Sequence, residues 1–344
     1  MPELRQDPVT LRWVAIATER AKRPHAFTRA AKVEAPAAVA CPFCPGHEAE
    51  TPPEVMAYRA PGSAPDTPGW QVRVVPNLYP AFGPAAGSLD PHPVGPYTAM
   101  HALGVHEVLI STPEHHKDIG ELPLDAVQRI VSSCVDRYRA HRDNPVVQYI
   151  LIINNVGREA GASREHPHSQ LFGIPLIPIA VAEELDGVQR YRAAQGTCPY
   201  CDIGKYEQQV GERLIYENDA FLVFAPYAGR MPFESWLMPK AHRPFFEDMG
   251  EEAQRDCADA LRALVAKLHW GLNEPPFNYF IHTTPCHEDI GGAYHWHLEL
   301  LPKLSIAAGF ELGSGMMINT VLPEQAAEFL RETAGGDTLP RPVE

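Results

Sequence analysis

The 344-residue chain has no apolar run approaching the length of a bilayer span, so no membrane-spanning helix is expected. Its first residues, Met1-Pro2-Glu3-Leu4-Arg5, lack the charged-then-apolar layout of a secretory leader, and the expected location is the cytoplasm. Positive charge is scarce. Lys and Arg number 29 against 43 Asp and Glu, a net charge of −14, which argues against sequence-independent binding to nucleic acid. A small anionic ligand is not excluded, since a few local arginines suffice for one. With 45% hydrophobic and 21% charged residues the composition is that of a soluble globular protein. The length allows one large core or two ordinary ones.

Proline, by contrast, is abundant: 35 residues, many of them around 52–97 and 223–244. These segments read as rigid, irregular connections. Of the seven cysteines, four stand in two Cys-x-x-Cys pairs. Cys134, Cys257 and Cys286 are single and read as buried small side chains.

The main organising feature is a duplication. Cys41-Pro42-Phe43-Cys44, then Thr112-Pro113-Glu114-His115, then His166-Pro167-His168-Ser169-Gln170 occur in that order. Cys198-Pro199-Tyr200-Cys201, then Met238-Pro239-Lys240-Ala241-His242, then His295-Trp296-His297-Leu298-Glu299 repeat the order, with the last leg, from His115 to His166 and from His242 to His295, nearly equal in length. Three ordered elements seldom recur by chance, and they divide the chain into two like halves, residues 1–185 and 186–344.

The pattern of residues predicts strands over 10–18, 70–76, 106–111, 146–153 and 169–178, with a break at Asn154-Asn155-Val156-Gly157. Apolar spacing at Leu124, Val127, Ile130, Val131 and Val135 predicts a helix over 124–141. In the second half strands are expected over 213–223, 235–238, 278–282 and 294–301, with helices over 251–270 and 323–333. Each half thus has strands, one long helix, then two adjacent strands. The fold class expected is α+β, with mostly antiparallel sheets partly covered by helices.

Thiolates at i and i+3 can both reach one tetrahedral ion, and neutral imidazoles can complete it. Cys41, Cys44, His115 and His166 form one candidate site; Cys198, Cys201, His242 and His295 form the other. Both are closed four-ligand sets, which suits structural zinc, with iron the lesser alternative in the second. The competing reading is of ordinary buried cysteines and core histidines; two sets in register weigh against it. His116 and His297 are the nearest rival ligands.

Residues two apart on a strand share a face, so His166 would turn to the metal while His168 turns to a cleft. An imidazole can attack phosphorus and hold it as a phosphoramidate. A carbonyl accepting from one ring nitrogen leaves the other with its lone pair. Gln170 can donate to a phosphoryl oxygen but supplies no proton. That suits a leaving group that is itself a phosphate, as when a sugar phosphate leaves a nucleoside diphosphate sugar.

This segment, with Asn155 and Ser163 upstream, resembles the active-site segment of galactose-1-phosphate uridylyltransferases, in the histidine-triad superfamily. The resemblance runs through nearly the whole chain, including Arg5-Gln6-Asp7-Pro8-Val9-Thr10, Arg20-Ala21-Lys22-Arg23-Pro24 and Thr112-Pro113-Glu114-His115. It implies two tandem histidine-triad-like halves and a homodimer. It also implies His168 as the nucleotidyl-carrying nucleophile. Gln170 and Ser163 would lie on the phosphates, Asn77 and Asn155 near nucleoside and phosphates, and Arg20 and Arg23 on the diphosphate. Phe310 and Glu311 would stand for a Tyr-Glu pair that meets the hexose, whereas the family's hexose-binding Lys has no counterpart. Ser169 replaces a Gly. The stretch 308–316, with Thr51-Pro52-Pro53-Glu54 and Cys-Pro-Phe-Cys-Pro-Gly, is also similar to the branch that includes ADP-glucose phosphorylase.

The activity implied is uridylyl transfer by double displacement, from UDP-glucose to His168 and then to galactose 1-phosphate, in galactose metabolism. ADP-glucose phosphorolysis is the alternative. A histidine-triad hydrolase would usually carry a third His where Gln170 stands. A zinc-stabilised binding module is disfavoured by the net charge. His297 is expected to be a decayed copy of His168 that packs or assists the metal, because Glu299 would repel an anionic phosphate.

Overall fold

The computed structural model describes residues 2–22, 41–83, 88–288, 290 and 292–334. The chain opens with β1 (Glu3–Gln6) and β2 (Trp13–Ile16), then β3 (Met56–Arg59), β4 (Trp70–Pro76), β5 (His92–Val94), β6 (Tyr97–Ala99) and β7 (Val105–Ile110). Helix α1 (Leu124–His141), β8 (Tyr149–Val156) and β9 (His168–Ile174) follow. Helices α2 (Ile179–Gln195) and α3 (Pro199–Val210) lead into β10 (Leu214–Glu217), β11 (Phe221–Phe224) and β12 (Ser235–Pro239). Helix α4 (Glu251–Gly271), β13 (Phe277–His282), β14 (His297–Pro302), α5 (Gly309–Ser314), β15 (Met317–Asn319) and α6 (Pro323–Glu332) complete it.

Ten strands form one antiparallel sheet in the order β10-β11-β12-β14-β13-β8-β9-β7-β4-β3. The order is mirrored about the β13–β8 junction: β8, β9, β7, β4 and β3 on one side match β13, β14, β12, β11 and β10 on the other. The α+β class read from the sequence holds. The division drawn at 185/186 falls within α2, while the sheet changes half between β13 and β8.

One sheet face packs on α1, α4 and α6. Val131, Cys134, Leu261, Leu264 and Leu330 meet Leu109, Leu171, Leu237 and Leu298 there in the main core. The helical spacing of 124–141 and 251–270 is what supplies this stripe. Cys134 and Cys257 are buried in it, as expected of small apolar side chains. On the other face the halves diverge. In the second half α2 and α3 cover the sheet, with Val181, Leu185 and Tyr200 on Phe224, Trp236 and Met238. In the first half that face carries His168 and Gln170, and Phe43 of the first Cys-x-x-Cys loop packs on its smaller cluster of Trp70, Val75, Val108 and Ile110. Strands β1, β2 and β15 make a small separate sheet, in which β15 runs parallel to β2.

Several boundaries differ from those read in the sequence. The break expected at 154–157 is not one: β8 runs to Val156, because Asn154 and Asn155 pair with Tyr279 and Asn278 across the junction. The real stop is Gly157, at φ 82, where an added Cβ would lie 2.8 Å from Pro276. His166 lies just before β9, and His295 just before β14. Helices α2 and α3 were not expected. The buried stripe of α2 includes Glu184 and Gly187 beside Val181, Leu185 and Val188, which blurs the apolar spacing.

Candidate functional site

His168 opens β9, opposite Ile110 of β7. It is buried, 7% exposed. Its Nδ1–H donates to the carbonyl of His166 at 2.8 Å, which leaves the lone pair on Nε2. Burial lowers its pKa, against the raising effect of that hydrogen bond, so the neutral, nucleophilic ring is favoured. Phe43 stands edge-on to the ring at 5.3 Å between centroids, and Arg164 lies over Phe43.

Gln170 is the next residue on that face, opposite Val108 of β7 and Ile153 of β8. Its Oε1 contacts Nε2 of His106 at 2.9 Å. Asn77, just past β4, abuts the same His106 nitrogen at 3.1 Å. Asn155 is half-buried on β8, its Oδ1 accepting from Asn278 at 2.6 Å. The fold thus gathers His168, Gln170, Asn77 and Asn155 on one sheet face. Ser163 is exposed in the loop that delivers β9.

Arg20, Phe310 and Glu311 belong elsewhere in the chain. Phe310 and Glu311 lie on α5, beside β15, and the Arg20 charge helps hold the Glu311 carboxyl below its usual pKa, after hydrogen bonds from the backbone. The small sheet packs on Ala228 of the second half. Among the described residues, no hydrogen bond or ion pair ties these three to His168, Gln170 or Asn155. Arg23 lies outside the described residues.

The two sulfur–imidazole sets assemble as their spacing predicts. Ligand atoms of Cys41, Cys44, His115 and His166 lie within 4.8 Å of one another, as do those of Cys198, Cys201, His242 and His295. Cys44 Sγ lies 3.1 Å from His115 Nδ1 and 3.6 Å from His166 Nδ1. Cys201 Sγ lies 3.3 Å from His242 Nδ1 and 3.5 Å from His295 Nδ1. Bonds of roughly 2.0–2.3 Å to a tetrahedral zinc put ligand atoms at about these separations. The outer nitrogens are held in the sense a ligand needs. His166 Nε2 donates to the Thr112 carbonyl at 2.8 Å, His295 Nε2 to Pro239 at 2.9 Å, and His242 Nε2 to Gly292 at 2.7 Å. The residues therefore fit a closed, structural ion. His116 is exposed and edges His115 at 4.4 Å.

A third cluster was not legible in the sequence. Glu184 of α2 accepts from His282 Nδ1 at 2.9 Å and from the Tyr294 hydroxyl. Glu299 accepts from Arg230, which also holds Glu234 at 2.7 Å. His297, fully buried, stacks on Trp236 and Tyr200. Burial alone would raise the Glu299 pKa, but Arg230 and the two histidines hold it well below the carboxylate range. Only the helical phase of Glu184, with Val181, Leu185 and Val188, hinted at its burial.

Comparison with known proteins agrees with this geometry. The family model described as galactose-1-phosphate uridyl transferase, N-terminal domain, matches residues 1–178, and a domain of unknown function, DUF4921, matches residues 110–333. ADP-glucose phosphorylase of Arabidopsis thaliana is 35% identical over 97% of this chain and 93% of its own. Galactose-1-phosphate uridylyltransferase of Thermotoga maritima is 30% identical over 97% and 99%. The crystal structure of the Arabidopsis ADP-glucose phosphorylase with bound ADP-glucose superposes with a TM-score of 0.82, at 32% identity, over 97% of this chain and 100% of that one. The chain belongs to the galactose-1-phosphate uridylyltransferase family, a family of transferase enzymes.

Proposed function

We propose that the protein is a nucleotidylyltransferase working by double displacement through His168, transferring uridylyl from UDP-glucose to galactose 1-phosphate. The observation that carries this is the pairing of His168 with its neighbour on the strand. Nδ1–H is tied to a carbonyl, Nε2 is free to attack, and Gln170 rather than a proton donor stands beside it. In the first half-reaction Nε2 attacks the α-phosphorus. A P–N bond forms, the bond to the bridging oxygen breaks, and glucose 1-phosphate leaves as an anion that needs no proton. Gln170 and Ser163 would steady the phosphoryl oxygens, with Asn77 and Asn155 near the nucleoside and Arg20 and Arg23 on the diphosphate. In the second step galactose 1-phosphate takes the uridylyl group and frees His168.

The two Cys₂His₂ sets would hold zinc, with iron the alternative in the second, and would fix the Cys-x-x-Cys loops and the His-x-His segments without touching substrate. The proposed organisation is two tandem halves, of which the first, 1–185, carries the transfer site and the second, 186–344, keeps the fold and its metal set. Among the described residues Phe310 and Glu311 make no hydrogen bond or ion pair with the His168 face, which suits a homodimer in which a second copy completes the hexose site. The proposed setting is cytoplasmic; among the described residues no helix is long and apolar enough to cross a membrane.

A second reading, adenylyl transfer from ADP-glucose to phosphate, is favoured by the 35% identity to the Arabidopsis ADP-glucose phosphorylase. The intact mass of the protein after incubation with UDP-glucose or ADP-glucose, without acceptor, separates the two. A uridylyl-sized gain supports the first reading, and an adenylyl-sized gain only with ADP-glucose moves the protein to the second. No adduct with either donor would contradict both.

A further inference from the structure

His106 was not among the residues to which the sequence gave a role. It sits on β7, two residues before Val108, the partner of Gln170 in the β7–β9 register. Its ring stacks on Phe172 at 4.1 Å between centroids. The Ala81 backbone N–H donates to its Nδ1 at 3.1 Å. A backbone amide can only donate, so Nδ1 holds the lone pair and the neutral ring carries its proton on Nε2. Burial lowers the His106 pKa, which favours that neutral form, while the contact with Gln170 acts in the opposite sense.

Two side chains stand within reach of the Nε2 proton. Asn77 presents Nδ2, because its Oδ1 already accepts from the Tyr79 backbone N–H at 2.9 Å. Nδ2 is a donor and cannot take the proton. Gln170 Oε1, at 2.9 Å, is the acceptor. An amide with its oxygen committed on one side offers its NH2 on the other. The two ends of that amide have opposite meaning for an anionic phosphoryl group: NH2 attracts it, and a carbonyl oxygen repels it.

We propose that His106 is a positioning residue that fixes which end of the Gln170 amide faces the transferred phosphoryl group. The inference rests on the reading of His168 as nucleophile and Gln170 as its phosphoryl donor. The second half shows the alternative arrangement. There Trp236 is the residue opposite Glu299, so Glu234 stands where His106 stands. Glu234 reaches Glu299 through Arg230, and the set is locked into ion pairs.

The test measures the single-turnover rate of adduct formation at His168, using whichever of UDP-glucose and ADP-glucose labels the wild type. His106→Phe keeps a ring on Phe172 and removes the N–H. His106→Gln puts an amide donor within reach of Gln170. The expected result is a loss of about 10-fold or more in His106→Phe, no larger than the ~10²–10³-fold loss expected of Gln170→Ala. Half-saturation by the donor should stay unchanged, and His106→Gln should recover most of the rate. In a Gln170→Ala background His106→Phe should cost nothing further, whereas a merely structural residue would cost the same in both backgrounds. Wild-type speed in His106→Phe, or equal losses in the two backgrounds, would overturn the proposal. A wild type that forms no adduct would remove the functional reading first, and this proposal with it.

Discussion

The two halves place the same pair of histidines at the start of matching strands of one sheet, yet the second of each pair meets different surroundings. His168 and His297 each turn Nδ1 to the carbonyl two residues back, at 2.8 and 3.2 Å. Their partners in the Cys₂His₂ groups, His166 and His295, each donate Nε2–H to a carbonyl of the neighbouring segment. The difference lies in what covers the sheet. Over His168 there is the short Cys41–Cys44 loop with Phe43. Over His297 there are α2 and α3, with Tyr200 and Trp236 stacked on the ring. Gln170 becomes Glu299, which Arg230 holds in an ion pair together with Glu234. The halves share the strand frame and the Cys₂His₂ set, and they differ in the two helices and the ion-pair network that cover the second.

The largest effect should come from breaking what the halves share. His166→Ala should empty the first metal set and leave the second, halving the metal content. Structural zinc contributes on the order of 10–16 kcal/mol of apparent binding energy, so the first half should melt far earlier. Elemental analysis with a thermal melt checks this. His168→Ala breaks what the halves do not share. It should cut adduct formation by on the order of 10⁴-fold or more, the scale on which loss of a nucleophile is felt, with metal content unchanged. Metal lost in parallel would mean that His168 is structural.

Arg230→Met tests the closed half. It strands Glu234 and Glu299 without their cation, at a cost of about 3–5 kcal/mol in unfolding experiments, while the adduct yield per folded molecule stays as it was. The same network carries a pH signature. Burial opposes charge on His282, but Glu184 overcomes it and raises its pKa, while Glu184 is held below the usual carboxylate range. A raised histidine stabilises fully below its unfolded value and loses that contribution as pH rises through the folded one. The lowered Glu184 loses its own as pH falls. The pair therefore stabilises most between about pH 4.5 and 6.5, and His282→Gln should flatten the alkaline side of melting temperature against pH. The smallest effect belongs to His297→Asn, which should change the rate of adduct formation by less than about twofold, as expected of sites that share no partners.

Much of this comparison was legible before the fold. The Cys-x-x-Cys pairs, the Pro-x-x-His segments and the His-x-His copies pointed to both Cys₂His₂ groups that the fold brings together, because tetrahedral ligation constrains residue type and spacing together. The long apolar stripes of α1 and α4 were equally plain. The cover of the second half was not, because α2 buries Glu184 and Gly187 among its apolar residues and has no clean periodicity. Nor was the role of His106, since nothing local to 105–110 says which strand lies beside it. Register decides that, and register is a property of the whole sheet. Arg20, Phe310 and Glu311 were reachable only by resemblance; Arg20 lies in the turn after β2 and the other two on α5, and among the described residues none has a hydrogen bond or ion pair to His168.

The central claim is that one histidine of the two carries the transferred nucleotide. Digestion of the adduct under alkaline conditions, followed by mass mapping of the peptides, tests it most directly. The account predicts the added nucleotidyl mass on the peptide that contains His168 and an unmodified peptide around His297. Label on His297, or shared between the two, would contradict it.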